Sequence, residues 1–429
     1  MLPMSTNSAQ PTLEDALREV VETLAPIDRT PCSPGEREAA DWLAARLRRV
    51  PGVDVTLEDE SSWGTFPPTA TALGVAGLLA STLVLRGRRL AGALIAALGL
   101  AGIVDEAQNG PRILRRLVRR RRDTVNVLAR TGAWNDGELE GGRGERSLPG
   151  TVVVIAHHDA PQTGFLFDQT LQKRVYELAP SLLERTKTPA PQWWIGLAGP
   201  LLTMAGAVTR RRRFAHAALA IGAFGTAIVA DVWRSPTVQG ANDNLSGVAT
   251  LVALAEMLER EPLAGLRVLL VSCGAEETLQ DGIRAFLARH RDELDPERTW
   301  FVNLDTVGSP HLVMLEAEGP VWMEEYAGPW LRDLVADCAR RLEIPLHRGY
   351  RARASTDSVI PSRAGYPTAT LVSMTDWRSP ANYHLPTDVP ANLDYGTVAQ
   401  ATRLVYDVMR VLAKDRGAAA GSAGSTLPS

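Results

Sequence analysis

Eight side chains able to bind a divalent ion or move a proton stand just beyond apolar segments of this sequence or in the loops between them. TVVVIA (151–156) runs straight into His157, His158 and Asp159, LRVLLVS (266–272) is followed by Glu276 and Glu277, and WFVN (300–303) is followed by Asp305. Asp243 stands in the Gly- and Asn-rich loop GANDNLSG, and His384 in NYHLPTD. In an open α/β sheet, functional groups gather beyond the carboxyl ends of the strands. Taken singly, each residue has an ordinary explanation, since a lone histidine is commonly a hydrogen-bonded structural residue and an Asp before a helix an N-cap. Five oxygen and nitrogen ligands distributed over successive strand ends form a set. Two histidines with three carboxylates and no cysteine suit a pair of borderline-hard divalent ions such as zinc, with one carboxylate bridging them. Glu276 is then free for proton transfer. His158 alternates to the other face of its strand and takes no role.

The elements that must position these groups are legible in the apolar spacing. Leu13, Leu17, Val20, Val21 and Leu24 recur at helical intervals, and SPGE (33–36) predicts a capping box with Pro34 at the first helical position. A second helix follows, to about residue 49. Val53, Val55 and Leu57 alternate as a strand, TVNVLA (124–129) reads as its neighbour, and TVVVIA is apolar enough to be buried on both faces. A helix from Asn244 to about Glu259, strands at 266–272, 300–304 and 368–373, and helices near 281–291, 326–342 and 396–413 complete the pattern. The alternation predicts an α/β fold, with a mixed, mostly parallel sheet covered by helices on both faces. The tail, 414–429, is expected to be disordered.

Two stretches, 66–122 and 165–236, interrupt this pattern and leave 12–65, 123–164 and 237–413 as one discontinuous α/β domain. Each interruption holds two uncharged apolar segments, 69–85 and 90–104 in the first and 193–208 and 217–230 in the second, joined by an Arg-rich turn. Each is therefore predicted to be a helical hairpin. The segments reach roughly 21 to 26 Å, short of the ~30 Å hydrocarbon core. Flanking Trp63, Trp193, Trp194 and Trp233 suit a membrane interface, and the pairs Gly92 with Ala96 and Ala218 with Gly222 allow close helix contact in lipid. Multi-pass insertion through the hairpins, with contact to membrane lipid, is the expectation, and a soluble helical subdomain the alternative.

Composition narrows the remaining classes. The net charge of −3 gives no general reason for a nucleic-acid partner, and 43 of the 46 basic residues are arginine, which weakens any reading of Arg runs. The run 112–122 carries no aromatic or groove-reading motif and reads as a membrane-flanking or solvated face. Cys32, Cys273 and Cys338 have no metal-ligand spacing and form no disulfide framework.

The order HHD (157–159), DNLSG (243–247), EE (276–277), NLD (303–305) and YHLPTD (383–388) resembles the co-catalytic zinc aminopeptidases, the family of bacterial leucyl aminopeptidases that also includes glutamate carboxypeptidases and transferrin-receptor-like proteins. The resemblance spans roughly 12–60, 124–164 and 237–413. It implies a three-layer zinc-exopeptidase fold and two Zn²⁺ ions, one held by His157, Asp243 and Asp305, the other by Asp243, Glu277 and His384. It also implies that Asp159 orients His157 and that Glu276 takes the proton of an acidified water and delivers it to the leaving amine. Two features depart from the family pattern: Asp159 and Asp243 stand 84 positions apart with a hairpin between them, and Ser358, in STDSV beside Asp357, stands where histidine is common. An exopeptidase removing N-terminal residues from peptides is the leading expectation. A carboxypeptidase or a glutaminyl cyclase on the same scaffold, or a non-catalytic membrane receptor, are the alternatives. Arginines are balanced at the two ends of the apolar segments, and the first 25 residues read as a soluble start, so a cytoplasm-facing peptidase domain is expected. The oligomeric state is left open.

Overall fold

A computed structural model of the chain describes residues 12–132, 134, 149–181, 185–188 and 193–423, with backbone only for 415–423. Its strands are β1 (Asp54–Ser62), β2 (Arg122–Gly132), β3 (Gly150–His157), β4 (Leu266–Cys273), β5 (Thr299–Leu304), β6 (His311–Glu318), β7 (Glu324–Glu325), β8 (His347–Ala352) and β9 (Thr368–Met374). They form one sheet in the order β1-β2-β4-β3-β5-β9-β6-β7, with β8 also paired to β6. The central run β4-β3-β5-β9 is parallel, while β1, β2, β6 and β7 join antiparallel. The fully buried β3, its eight residues all inaccessible, lies between β4 and β5. The order therefore switches direction at β3, and the site develops beyond its carboxyl end.

The helices are α1 (Leu13–Leu24), α2 (Pro34–Leu47), α3 (Pro67–Leu85), α4 (Arg89–Ala107), α5 (Ile113–Val118), α6 (Thr170–Leu178) and α7 (Trp194–Thr209). They continue with α8 (Arg212–Arg234), α9 (Ser246–Arg260), α10 (Asp281–His290), α11 (Pro329–Arg341), α12 (Val359–Arg363) and α13 (Tyr395–Ala423). Period-2 alternation divides the sheet between two cores. Val152, Val154 and Ala156 of β3 face α1, α2, α9 and α13, whereas Val153 and Ile155 face Phe286 of α10 and Val359 of α12. Both faces are covered, as the apolar runs require.

Several expectations change. Strands β6, β7 and β8 were not anticipated: β6 is a short apolar run between the turn residues GSP (308–310) and GP (319–320), and the polar HRGYRA of β8 is held at the edge by pairing to β6. The last helix continues to Ala423, through the first part of the tail expected to be disordered, and 424–429 lie outside the described residues. Ser33 caps α2 by accepting from the Glu36 N–H at 3.2 Å, but the Glu36 carboxylate turns inward instead of closing the capping box.

The hairpins pack together. Helices α3, α4, α7 and α8 form one bundle, and three of them, of 19, 19 and 23 residues, are long and apolar enough to cross a membrane. Their calculated lengths, roughly 28 to 34 Å, exceed the sequence expectation because the helices continue through polar ends such as Asp105–Ala107. The 16-residue α7, which contains Pro200, is shorter. Gly92 is obligatory at the α3–α4 crossing, since a Cβ there would lie 2.6 Å from the Ala80 carbonyl oxygen.

Candidate active site

His157 ends β3, and its Nε2 faces Asp243 Oδ1 at 3.3 Å and Glu276 Oε2 at 3.9 Å. His384 Nε2 lies 3.1 Å from Asp243 Oδ2 and 3.5 Å from Glu277 Oε1. The ligand atoms fall into clusters whose members lie within 4.8 Å of one another, among them His157, Asp243, Asp305 and Asp243, Glu277, His384. Chain segments separated by up to 227 positions thus converge on two triads that share Asp243. Asp243 is held between them by a loop that continues into α9 across a cis peptide bond to Asn244. Asn244 donates to the Leu304 carbonyl at 2.8 Å and accepts from the Gly247 and Thr306 N–H groups. At Gly247 a Cβ would lie 2.7 Å from Leu304 O and 2.9 Å from Ala156 Cβ, so only glycine lets the start of α9 approach β3 and β5 this closely.

The buried groups fit divalent cations. Asp243 Oδ2 and His384 Nε2 are both buried without a hydrogen-bond partner, although they face each other. Burial, then the Asp243 charge, pushes Asp305 up to about 7. Burial and the neighbouring Asp243 and Glu276 carboxylates hold Glu277 well above the usual carboxylate range. Glu276 is raised likewise, by burial first and then, against the opposing pull of His157, by the Asp357 and Asp305 carboxylates. A crowded set of acids with two imidazoles is the donor set that a pair of divalent ions neutralises.

Asp159 has partners beyond the one expected. Its carboxylate is 3.5 Å from His157 Nδ1, which lies nearer the Asp159 carbonyl oxygen, at 3.2 Å. Its two oxygens also accept from the Glu276 and Glu277 N–H groups, each at 3.0 Å. His158 is buried, paired through Nδ1 with Ser272 Oγ at 3.0 Å, and pushed down to about 4 by burial, so it stays neutral and outside the cluster. Ser358 is buried as well, accepting from Thr370 Oγ1 at 2.6 Å.

Four supporting residues were not recognised from sequence. Glu36 accepts from the Ala275 N–H at 2.7 Å and from Thr124 Oγ1, directly before the Glu pair. Asp388 accepts from the Asn242 and Asp243 N–H groups at 2.7 and 3.1 Å. Arg112 and Arg115 lie in the run read as a membrane-flanking or solvated face, but both are inaccessible. Arg112 pairs with Asp281 and donates to the Thr278 and Leu279 carbonyls; Arg115 pairs with Glu106 and donates to the Thr278 and Gly64 carbonyls. The loop they grip includes Ala275, Leu279 and Gln280, all with positive φ, a conformation that costs non-glycine residues roughly 1 to 2 kcal/mol each. The only advance signal for Asp388 was its place in YHLPTD; charge alone did not separate Arg112 and Arg115 from their exposed neighbours.

Residues 225–409 match peptidase family M28. No curated protein matches the chain. Among solved structures, the fold resembles a Zn-dependent exopeptidase from Parabacteroides distasonis (14% identity, TM-score 0.51, 94% of this chain and 99% of that one). It also resembles a leucine aminopeptidase precursor from Bacteroides thetaiotaomicron (14%, 0.52, 93% and 98%). A glutaminyl cyclase from Bacteroides thetaiotaomicron is similar to the same degree (13%, 0.52, 94% and 99%). The matched segment carries Asp243, Glu277, Asp305 and His384, and the fold brings His157 to them, so residues 225–409 are similar to peptidase family M28 and the chain as a whole shares the fold of these zinc exopeptidases and cyclases.

Proposed function

We propose that the chain is a zinc-dependent aminopeptidase that hydrolyses N-terminal peptide bonds. The observation that carries this reading is the pair of triads sharing Asp243, with Glu276 beside them, where it groups with His157 and Glu277. His157, Asp243 and Asp305 would hold one ion and Asp243, Glu277 and His384 the other. Bound there, the ions supply Lewis acidity to the amide carbonyl and acidify the attacking water. Glu276 Oε2 accepts that water's proton and returns it to the departing amine, while Gln280 Nε2, donating to Glu276 Oε1 at 2.5 Å, leaves the other oxygen to do so. Asp159 and Glu36 fix the backbone that aims Glu276 and Glu277 in different directions. Phe167, whose ring centroid is 4.1 Å from that of His384, and Tyr383, at 4.0 Å, wall the imidazole and exclude water from it.

The same reading seats the enzyme at a membrane. Leu94, Leu98, Val208 and Phe224 project from the helical bundle with more than half of their surface exposed, forming an apolar belt that a bilayer would cover. The test is metal content together with hydrolysis of aminoacyl and peptide substrates by the full chain, before and after chelation. Two ions per chain and chelator-sensitive release of N-terminal residues are expected, and Asp243→Ala should lose both. One ion per chain with cyclisation of N-terminal glutamine, or full activity in metal-free protein, would overturn the proposal.

A further inference from the structure

A cavity of about 410 Å³ begins at the ligand cluster and continues between the four helices of the bundle. Its two ends differ in chemistry. At the sheet end it is lined by Asp243, Glu276, Glu277, Asp305 and His384. At the other end the lining is apolar, and apart from the Trp193 indole N–H, Thr226 is the only polar side chain the bundle contributes among the described residues. The Thr226 hydroxyl is already used, donating to the Gly222 carbonyl at 2.6 Å.

Two helices give the same depth. Along α3 and its N-cap the lining runs from Phe66 to Gly77, and on α8 from Val229 back to Ala218, in each case 12 residues; at 1.5 Å of rise between successive residues this is roughly 16 Å. One turn beyond Gly77 and Pro200, Ser81 Oγ and Thr203 Oγ1 hydrogen-bond at 2.7 Å, both buried, and mark the floor. The wall is open at Gly77, where a Cβ would meet nothing within 4 Å. An amino-acid side chain fills only the mouth of such a chamber, whereas a linear chain of on the order of a dozen methylenes matches its depth.

We infer that the substrate carries a long unbranched apolar chain on its scissile amide, and that this chain lies in the helical bundle while the amide lies at the ligand cluster. The inference rests on the amide-hydrolysing reading of the site above. The chain belongs either to the departing amine or to the acyl group, and these two sources are separable by substrate series.

The experiment uses the full chain in lipid nanodiscs, with leucine N-alkylamides of increasing length in one series and N-acylalanines in the other, and leucine p-nitroanilide as the short reference. The expected result is a kcat/KM that rises up to about fourfold per methylene in one series and levels off near a dozen, the increment of burying one methylene. Gly77→Phe, or Gly77→Leu should the former fold poorly, should flatten that rise and leave the short reference unchanged. A rise in the alkylamides assigns the chain to the departing amine, and a rise in the N-acylalanines assigns it to the acyl side. No length dependence in either series, with the short reference hydrolysed, would overturn the inference. Occupancy is also read without turnover: in metal-stripped Gly77→Cys protein lacking Cys32, leucine N-dodecylamide or N-dodecanoylalanine should slow thiol labelling at position 77 and leucinamide should not. Protection without hydrolysis of any substrate would refute the aminopeptidase reading alone, and equal labelling rates with and without both long-chain compounds would refute the chamber.

Discussion

Asp159→Asn tests how the two glutamates are aimed. The Asp159 carboxylate is inaccessible and accepts one N–H from Glu276 and one from Glu277, each at 3.0 Å. Asparagine has a single amide oxygen, so one of the two N–H groups would face an NH₂ donor. The loss is one hydrogen bond to a charged acceptor, about 1.5 to 3 kcal/mol, and the N–H left buried without a partner adds about 1 to 3 kcal/mol. Removing the charge gives some of this back: burial, then the Asp159 charge, raises Glu36 to about 8, and without Asp159 Glu36 ionises more readily and holds the Ala275 N–H more strongly. A net destabilisation of about 2 to 4 kcal/mol is expected, which for a chain of this size lowers Tm by several degrees. Zinc affinity should fall by about 10- to 100-fold, the usual effect of disturbing a group that supports metal ligands. The assay is competitive zinc titration of chelated protein against a chromophoric chelator, with thermal unfolding and with kcat at saturating zinc. Wild-type zinc affinity together with wild-type Tm would show that Asp159 does not set the geometry of the Glu pair.

Glu276→Gln should keep its metal content and lose about 10²- to 10⁴-fold in kcat, because the amide cannot accept the water's proton; Glu277→Gln should lose metal in the same titration, and identical behaviour of the two variants would contradict the division of roles. Arg112→Leu leaves Asp281 buried without its cation and should cost about 3 to 5 kcal/mol in denaturant unfolding. Glu318 is inaccessible, its carboxylate accepts from the Thr356 N–H at 2.9 Å, and burial raises it to about 8. Its folded-state value therefore lies above its unfolded one, so its contribution to stability is complete below about 4.5 and is lost as pH rises through about 8. Glu318→Gln should reduce the fall in Tm between pH 6 and pH 9, and an unchanged slope would refute that assignment.

The sequence by itself determined which residues could form the centre and which strands would carry them. Continuous apolar runs such as TVVVIA and LRVLLVS are local patterns, and residues at or just beyond the carboxyl end of a buried parallel strand, His157 after one and Glu276 after the other, lie at the functional edge of the sheet whatever surrounds it. The apolar helices were legible for the same reason, although their true lengths included polar ends that composition did not assign. Only the tertiary structure decided what the supporting polar groups do. Glu36 looked like a capping residue and holds the Ala275 N–H; Arg112 and Arg115 looked like members of a solvated run and are buried pairs; Asp159 looked like a partner of His157 and also clamps two backbone N–H groups. Each of these roles depends on a partner 100 or more positions away, except the Arg115–Glu106 pair, and hydrogen-bonding geometry across such separations leaves no periodic trace in the chain. The chamber follows the same rule: glycines at 77, 199 and 222 are ordinary within their own helices, and they line a cavity only because two hairpins with residues 108–193 between them pack around the end of the sheet that bears the ligands.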